Sequence, residues 1–137
     1  MSGRTHVAVV IAAIVYFMIG SVWYTVLSGA WLEGIGKTKD QLQSEAGTTP
    51  LPYIVGFVAI LVLCYALAWL MARTGAAGAA AGAKLGITVA LLVVGAAIAL
   101  NYGFESRPVS LWLINVGYAA VGLTVAGAII GRMKRPT

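Results

Sequence analysis

Tyr53-Ile-Val-Gly-Phe-Val-Ala-Ile-Leu-Val-Leu-Cys-Tyr-Ala-Leu-Ala-Trp-Leu-Met-Ala72 runs for twenty residues without an Asp, Glu, Lys or Arg, and Gly56 is its one interruption. A helix rises about 1.5 Å per residue, so this run covers the roughly 30 Å of a bilayer's hydrocarbon core. Three more such stretches flank it: Val7 to Leu27, Leu85 to Leu100 and Leu111 to Gly131, again without a charged residue. The third extends back into the Ala/Gly segment from Gly75, whose alanines favour helix, and forward to Tyr102. Unbroken apolar character over these lengths does not fit the apolar-out, polar-in alternation of barrel strands. The expected fold is therefore all-α: a four-helix transmembrane bundle, up-down-up-down, in a single domain spanning 1–137. Its helices are expected at about 7–28, 52–72, 80–102 and 110–131.

Composition points the same way. Of 137 residues, 61% are hydrophobic and 9% charged. A soluble domain carries about 25% charged residues and needs them to cover its surface. Disorder is excluded by the same hydrophobicity. The net charge of +5 comes from bases scattered at the ends of apolar runs, without the density that a phosphate backbone requires, so no nucleic-acid partner is expected. A signal peptide at the N-terminus is disfavoured despite Arg4 and the small residues Ser28 and Ala30, because the apolar run exceeds the usual 7–15 residues.

The helix ends carry recognisable chemistry. Thr49 is read as the N-cap of the second helix, with Pro50 and Pro52 in its first turn. Arg73-Thr74-Gly75 closes that helix with a base and a left-handed glycine. Pro108 holds Arg107 extended, and Ser110 is preferred as the cap of the last helix. Between Ser28 and Thr49, Thr38 with Gln41 reads as a capping box and Asp40 favours the first turn, predicting a short surface helix at about 39–46. Arg4, Arg73, Lys84, Arg132, Lys134 and Arg135 fall at one set of ends with no acid. Lys37, Lys39 and Arg107 fall at the other with Glu33, Asp40, Glu45 and Glu105. The base-rich side is the cytoplasmic one, so both termini are expected there.

No ionisable residue is expected at bilayer depth, which argues against proton relays and voltage sensors. The single histidine, His6, and single cysteine, Cys64, make no catalytic constellation. No catalytic residue, metal site or cofactor is expected. Chemistry concentrates toward the outer ends: Trp23 and Tyr24, Trp31, Asn101, Glu105 and Arg107, then Asn115 and Tyr118 at i and i+3 on one helix face. This cluster is read first as interhelical hydrogen bonding, which buried amides in lipid require. A site for a small-molecule ligand or an ion is the alternative, and an interface with another protein the third reading. Glu105 and Arg107 read as an ion pair or turn brace, or as an outward binding group for a charged headgroup or solute. Gly78, Gly82 and Gly86, then Gly95 with Ala99, then Gly127 with Gly131, place small residues four apart. They predict close helix packing, within the bundle first or between protomers.

Gly20-x-x-Trp23-Tyr24, Trp31, Gly36, Asn101-x-x-Phe104-Glu105-x-Arg107-Pro108 and Leu113-Ile114-Asn115-x-Gly117-Tyr118 together resemble the domain of unknown function 1761 family, small bacterial membrane proteins. The resemblance covers about Val7 to Gly131 and implies the same four-helix layout. Members often read Trp-Tyr-Ser-Pro where this chain has Trp23-Tyr24-Thr25-Val26, so a proline-set break is not implied here. The resemblance marks Trp23, Tyr24, Trp31, Asn101, Glu105, Arg107, Asn115 and Tyr118 and implies no activity. The expected function is non-enzymatic: an inner-membrane protein that lies in the lipid bilayer and works as a homo-oligomer or as a subunit of a membrane complex. An oligomeric transporter or channel for small solutes is the second reading, and a lipid-modifying enzyme using Glu105 and Arg107 the third.

Overall fold

The computed structural model describes residues 1–47 and 49–134, with the backbone alone at Ala46. Among these residues every regular element is helical. The elements are α1 (Gly3–Val26), α2 (Ser28–Ile35), α3 (Lys39–Ala46), α4 (Leu51–Thr74), α5 (Ala79–Val89), a π-helical turn (Ala90–Gly95), α6 (Ala96–Phe104) and α7 (Val109–Met133). α5, the π turn and α6 form one continuous helix. With it, α1, α4 and α7 make four helices long and apolar enough to cross a membrane.

α7 sits at the centre of the packing. It lies against α5 and α1 over much of its length and against α4 more briefly, while α1 also packs on α4. The buried residues show how. On α1 they are Ala8, Val9, Ala12, Ala13 and Tyr16, and on α4 they are Ile60, Cys64, Leu67, Ala68 and Met71. Each set recurs at three to four residues, so each helix turns one stripe inward and leaves equally apolar residues outside. That arrangement suits an oily surrounding and would be costly in water.

The tightest interface joins α5 to α7, and glycine is its cause. A Cβ added to Gly82 would overlap the carbonyl of Gly127, and one on Gly127 would overlap that of Gly82. Gly86 stands in the same relation to Leu123, and Gly131 to Gly78. Two backbones touch along this seam, within reach of weak Cα–H···O bonds. The Gly78 N–H donates to the Gly131 carbonyl at 2.9 Å and closes its end. The Gly78–Gly82–Gly86 and Gly127–Gly131 spacings are thus spent inside the protomer, whereas Ala99 of the Gly95–Ala99 pair is exposed.

Bases finish the helices at this end. Lys134 Nζ donates to the carbonyls of Met71 (3.0 Å) and Ala76 (3.1 Å), and Arg4 Nε donates to the carbonyl of Met133. Cations suit the negative ends of α4 and α7 and satisfy carbonyls that the helices leave open. His6 Nδ1 bonds the Tyr65 hydroxyl at 2.8 Å beside them. Arg135, counted with these bases in the sequence, lies outside the described residues.

Several local features depart from the sequence reading. The first long helix starts at Gly3, capped by Ser2, and stops at Leu27, where a new helix sets off. That new helix, α2, has no counterpart among the sequence expectations. Its Leu27, Trp31 and Ile35 lie four apart and are half-buried, while Ser28, Gly29, Ala30 and Glu33 are exposed, so it is an amphipathic helix lying on the end of α7. The cap position of α4 is Pro50, and Thr49 acts one residue earlier, its hydroxyl accepting from the Leu51 N–H at 3.2 Å. Ser110 is not the cap of α7. Pro108 occupies that position, with ψ 149, because its fixed φ and missing N–H suit a helix boundary. At α3 both halves of the Thr38–Gln41 capping box are formed, and Lys37 reaches forward to pair with Glu45.

Candidate functional site

The end of the molecule away from Arg4 and Lys134 gathers aromatic rings and amides. α1 delivers Trp23 and Tyr24, successive residues about 100° apart on the helix. Trp23 Nε1 donates to the Ile114 carbonyl at 2.9 Å, and the Tyr24 hydroxyl donates to Asn115 Oδ1 at 2.7 Å. Asn115 Nδ2 in turn donates to the Tyr102 hydroxyl of α6 at 2.8 Å. One amide on α7 therefore ties α1 to α6. Three residues further along, the Tyr118 hydroxyl donates to the Tyr16 carbonyl at 2.7 Å.

Glycines make room for these rings. Tyr118 lies over Gly20, Tyr16 over Gly122 and Trp23 over Gly117, each close enough that a Cβ would collide. The rings pack edge to face: Tyr16 on Tyr118 at 4.9 Å, Tyr118 on Tyr24 at 5.4 Å and Tyr24 on Trp31 at 5.9 Å between centroids. This geometry matches the ring quadrupoles and adds to the burial of the aromatic faces. It also accounts for the motif pattern. In Gly20-x-x-Trp23-Tyr24 and Asn115-x-Gly117-Tyr118, each helix supplies rings and the hollow that receives its partner's ring.

At the surface, Glu105 and Arg107 form an ion pair, Nε to Oε1 at 3.0 Å. The Arg107 guanidinium lies 5.7 Å from the centroid of the Tyr102 ring, a cation–π distance. The chain turns here on Ser106, whose φ of 55° is the left-handed value that usually falls to glycine. Its N–H bonds the Gly103 carbonyl and that of Arg107 bonds the Tyr102 carbonyl, so the last carbonyls of α6 are satisfied by the turn itself.

Of the residues singled out from sequence, Trp23, Tyr24, Trp31, Asn115, Tyr118, Glu105 and Arg107 share this connected region. Asn101 stands apart: it is exposed, and no bond from its side chain occurs among the described residues. The helix turn that aims Tyr102 at α7 points its neighbour elsewhere. Tyr102, Tyr16 and Trp112 are members that sequence reasoning missed. Trp112 Nε1 donates to the Gly95 carbonyl at 2.9 Å, at the end of the π turn. A π turn widens the backbone ring and loosens the regular ladder, and this donor occupies a carbonyl there. Among the described residues, no group of three or more His, Cys, Asp or Glu lies close enough to hold a metal. The arrangement can donate and accept hydrogen bonds and hold one ion pair.

Residues 7–131 match a family model described as a protein of unknown function, DUF1761. The chain belongs to that family. Within the DUF1761 match lie the greater part of all four long helices and the whole Tyr24–Asn115–Tyr102 chain. No curated protein and no solved structure matches the chain. Membership of the family brings no activity with it, so the case for a function rests on geometry.

Proposed function

We propose that this DUF1761 protein is a small multi-pass protein of the bacterial inner membrane, not an enzyme, that works as a homo-oligomer or as an accessory subunit of a membrane complex. Its four long helices cross the bilayer alternately, up-down-up-down, and both termini lie in the cytoplasm. The Ser28–Thr49 connection and the Glu105–Arg107 turn then lie outside.

The observation that carries this reading is an imbalance of burial. All buried residues of α4 lie from Ile60 onward, and α6 has none. At the aromatic end, α4 and α6 thus flank the α1–α7 pair with much of their circumference free of protein. Leu51, Tyr53, Ile54, Val55, Val58, Leu100 and Phe104 are all exposed there. Meanwhile the side chains of Trp23, Tyr24, Tyr102, Asn115 and Tyr118 and the close-packing glycines of α5 and α7 are engaged within the protomer. Apolar surface is what remains for a lateral partner. An oligomeric carrier or channel is the runner-up. It finds less support: the hollow near Met71 and Lys134 measures about 120 Å³, and the larger one at the aromatic end, about 550 Å³ beside Trp23, is an open depression lined by Ile19, Val22, Trp23, Val26 and Leu27 along one helix rather than a path between helices.

Crosslinking in native membranes, followed by mass measurement of the detergent-extracted complex, tests the proposal. Cysteines at Val55 and at Leu100 in a Cys64→Ala background are expected to form disulfides between chains or to a partner. A chain that stays monomeric by mass, with no crosslink at either position, contradicts it.

A further inference from the structure

The Glu105–Arg107 pair is bonded at one point only, Nε to Oε1. Among the described residues, both Nη groups of Arg107 and the second oxygen of Glu105 have no protein partner. The two side chains are 37% and 49% exposed, so their open edges are accessible. They are nevertheless held. Tyr24 fixes Asn115, Asn115 fixes the Tyr102 hydroxyl, and the Tyr102 ring lies under the guanidinium. The left-handed Ser106 sets the turn that carries both charges. A chain of intramembrane hydrogen bonds thus ends on an oriented cation and anion side by side.

The open Nη edge of a guanidinium offers two parallel N–H donors, which fit two oxygens of a phosphate. The free Glu105 oxygen beside it accepts from an ammonium. The turn joins two long apolar helices, so it stands at the level of lipid headgroups. Next to it Val109, at the start of α7 and 73% exposed, offers apolar contact to the acyl chains.

We propose that Glu105 and Arg107 form a binding site for the headgroup of a zwitterionic phospholipid that carries a primary ammonium. Arg107 takes the phosphate through its Nη groups and Glu105 takes the ammonium. Asn115, Tyr102 and Tyr24 are positioning residues for the pair. An anionic headgroup without an ammonium brings no cation to the second Glu105 oxygen, and a trimethylammonium has no N–H to donate to it. The site rests on the membrane placement proposed above, and it goes beyond it by naming the ligand.

The test is lipid retention by the detergent-solubilised full chain, read by native mass spectrometry. Phosphatidylethanolamine, phosphatidylglycerol, phosphatidylcholine and inorganic phosphate are added in separate arms. The wild type is expected to hold phosphatidylethanolamine about tenfold more tightly than the other two lipids, the size of one charge-assisted hydrogen bond. Glu105→Gln is expected to abolish that preference and keep residual binding. Arg107→Gln weakens all lipids about tenfold, and Arg107→Lys, which keeps charge but loses the fork, recovers only part. Equal retention of every lipid by wild type and variants overturns the site, as does competition by inorganic phosphate at the lipid's own concentration. A chain that needs detergent yet shows no lipid preference removes this site alone. A chain that stays dispersed without detergent removes the membrane placement as well.

Discussion

Gly127→Val is expected to be the most damaging single substitution in the chain. Its Cβ would enter the Gly82 carbonyl, and neither backbone can yield without parting α5 from α7 along the seam that also holds Gly86 against Leu123 and Gly131 against Gly78. A flexible side chain could rotate away, but a peptide group cannot. Overpacking of this kind costs about 3 kcal/mol. SDS titration of the purified protein, followed by helicity and tryptophan emission, reads the loss. Gly56→Val is the matched control, since no atom lies within 4 Å of a Cβ built there. It is expected to unfold like the wild type. Equal behaviour of the two variants would mean that α5 and α7 are not in backbone contact.

Asn115→Leu is the second large effect. Leucine fills similar space but breaks both ends of the bridge, leaving the Tyr24 and Tyr102 hydroxyls without their amide. Unpaired groups in such surroundings cost about 1–3 kcal/mol. The double variant with Tyr24→Phe separates bracing from a role in ligand contact alone. If the bond is structural, Tyr24→Phe costs little once Asn115 is gone, and the coupling in the cycle is about 0.6–2 kcal/mol. Additive losses would show that the two side chains do not depend on each other in the folded protein.

Much of the architecture is legible in the sequence because hydrocarbon imposes few options. A run such as Tyr53 to Ala72 has no charge to expose and can satisfy its backbone only as helix. The glycine spacing on α5 and α7 is legible as close packing, within the bundle first, but not as a pairing of particular glycines. Only the register of the two helices shows Gly82 facing Gly127. α2 hides behind Gly29 and Gly34, which lower its helix propensity, although Leu27, Trp31 and Ile35 carry its period. The π turn has no signal in Ala90–Gly95, since its extra residue is accommodated by tertiary contact from Trp112.

The polar region is legible in kind and less so in detail. Asn115 and Tyr118 stand out because amides and phenols in lipid must find partners, and both do. Asn101 has the same chemistry on paper, yet helix phase turns it outward and hands its place to Tyr102. A tyrosine near a membrane surface reads as an interfacial anchor, so nothing in its own neighbourhood marks it as the link between Asn115 and Arg107. Adjacent residues on a helix differ in direction by about 100°, and the sequence does not tell which of the pair faces the neighbour.

The proposed placement requires four crossings that return both ends of the chain to one side. Single cysteines at Ser2 and at Ser44, each in a Cys64→Ala background, test this most directly with a membrane-impermeant maleimide applied to intact bacteria. Labelling of residue 44 from outside, with residue 2 labelled only after the cells are broken, is the predicted result. Labelling of both positions from the same side, or recovery of the chain in the supernatant of broken cells without detergent, would contradict it.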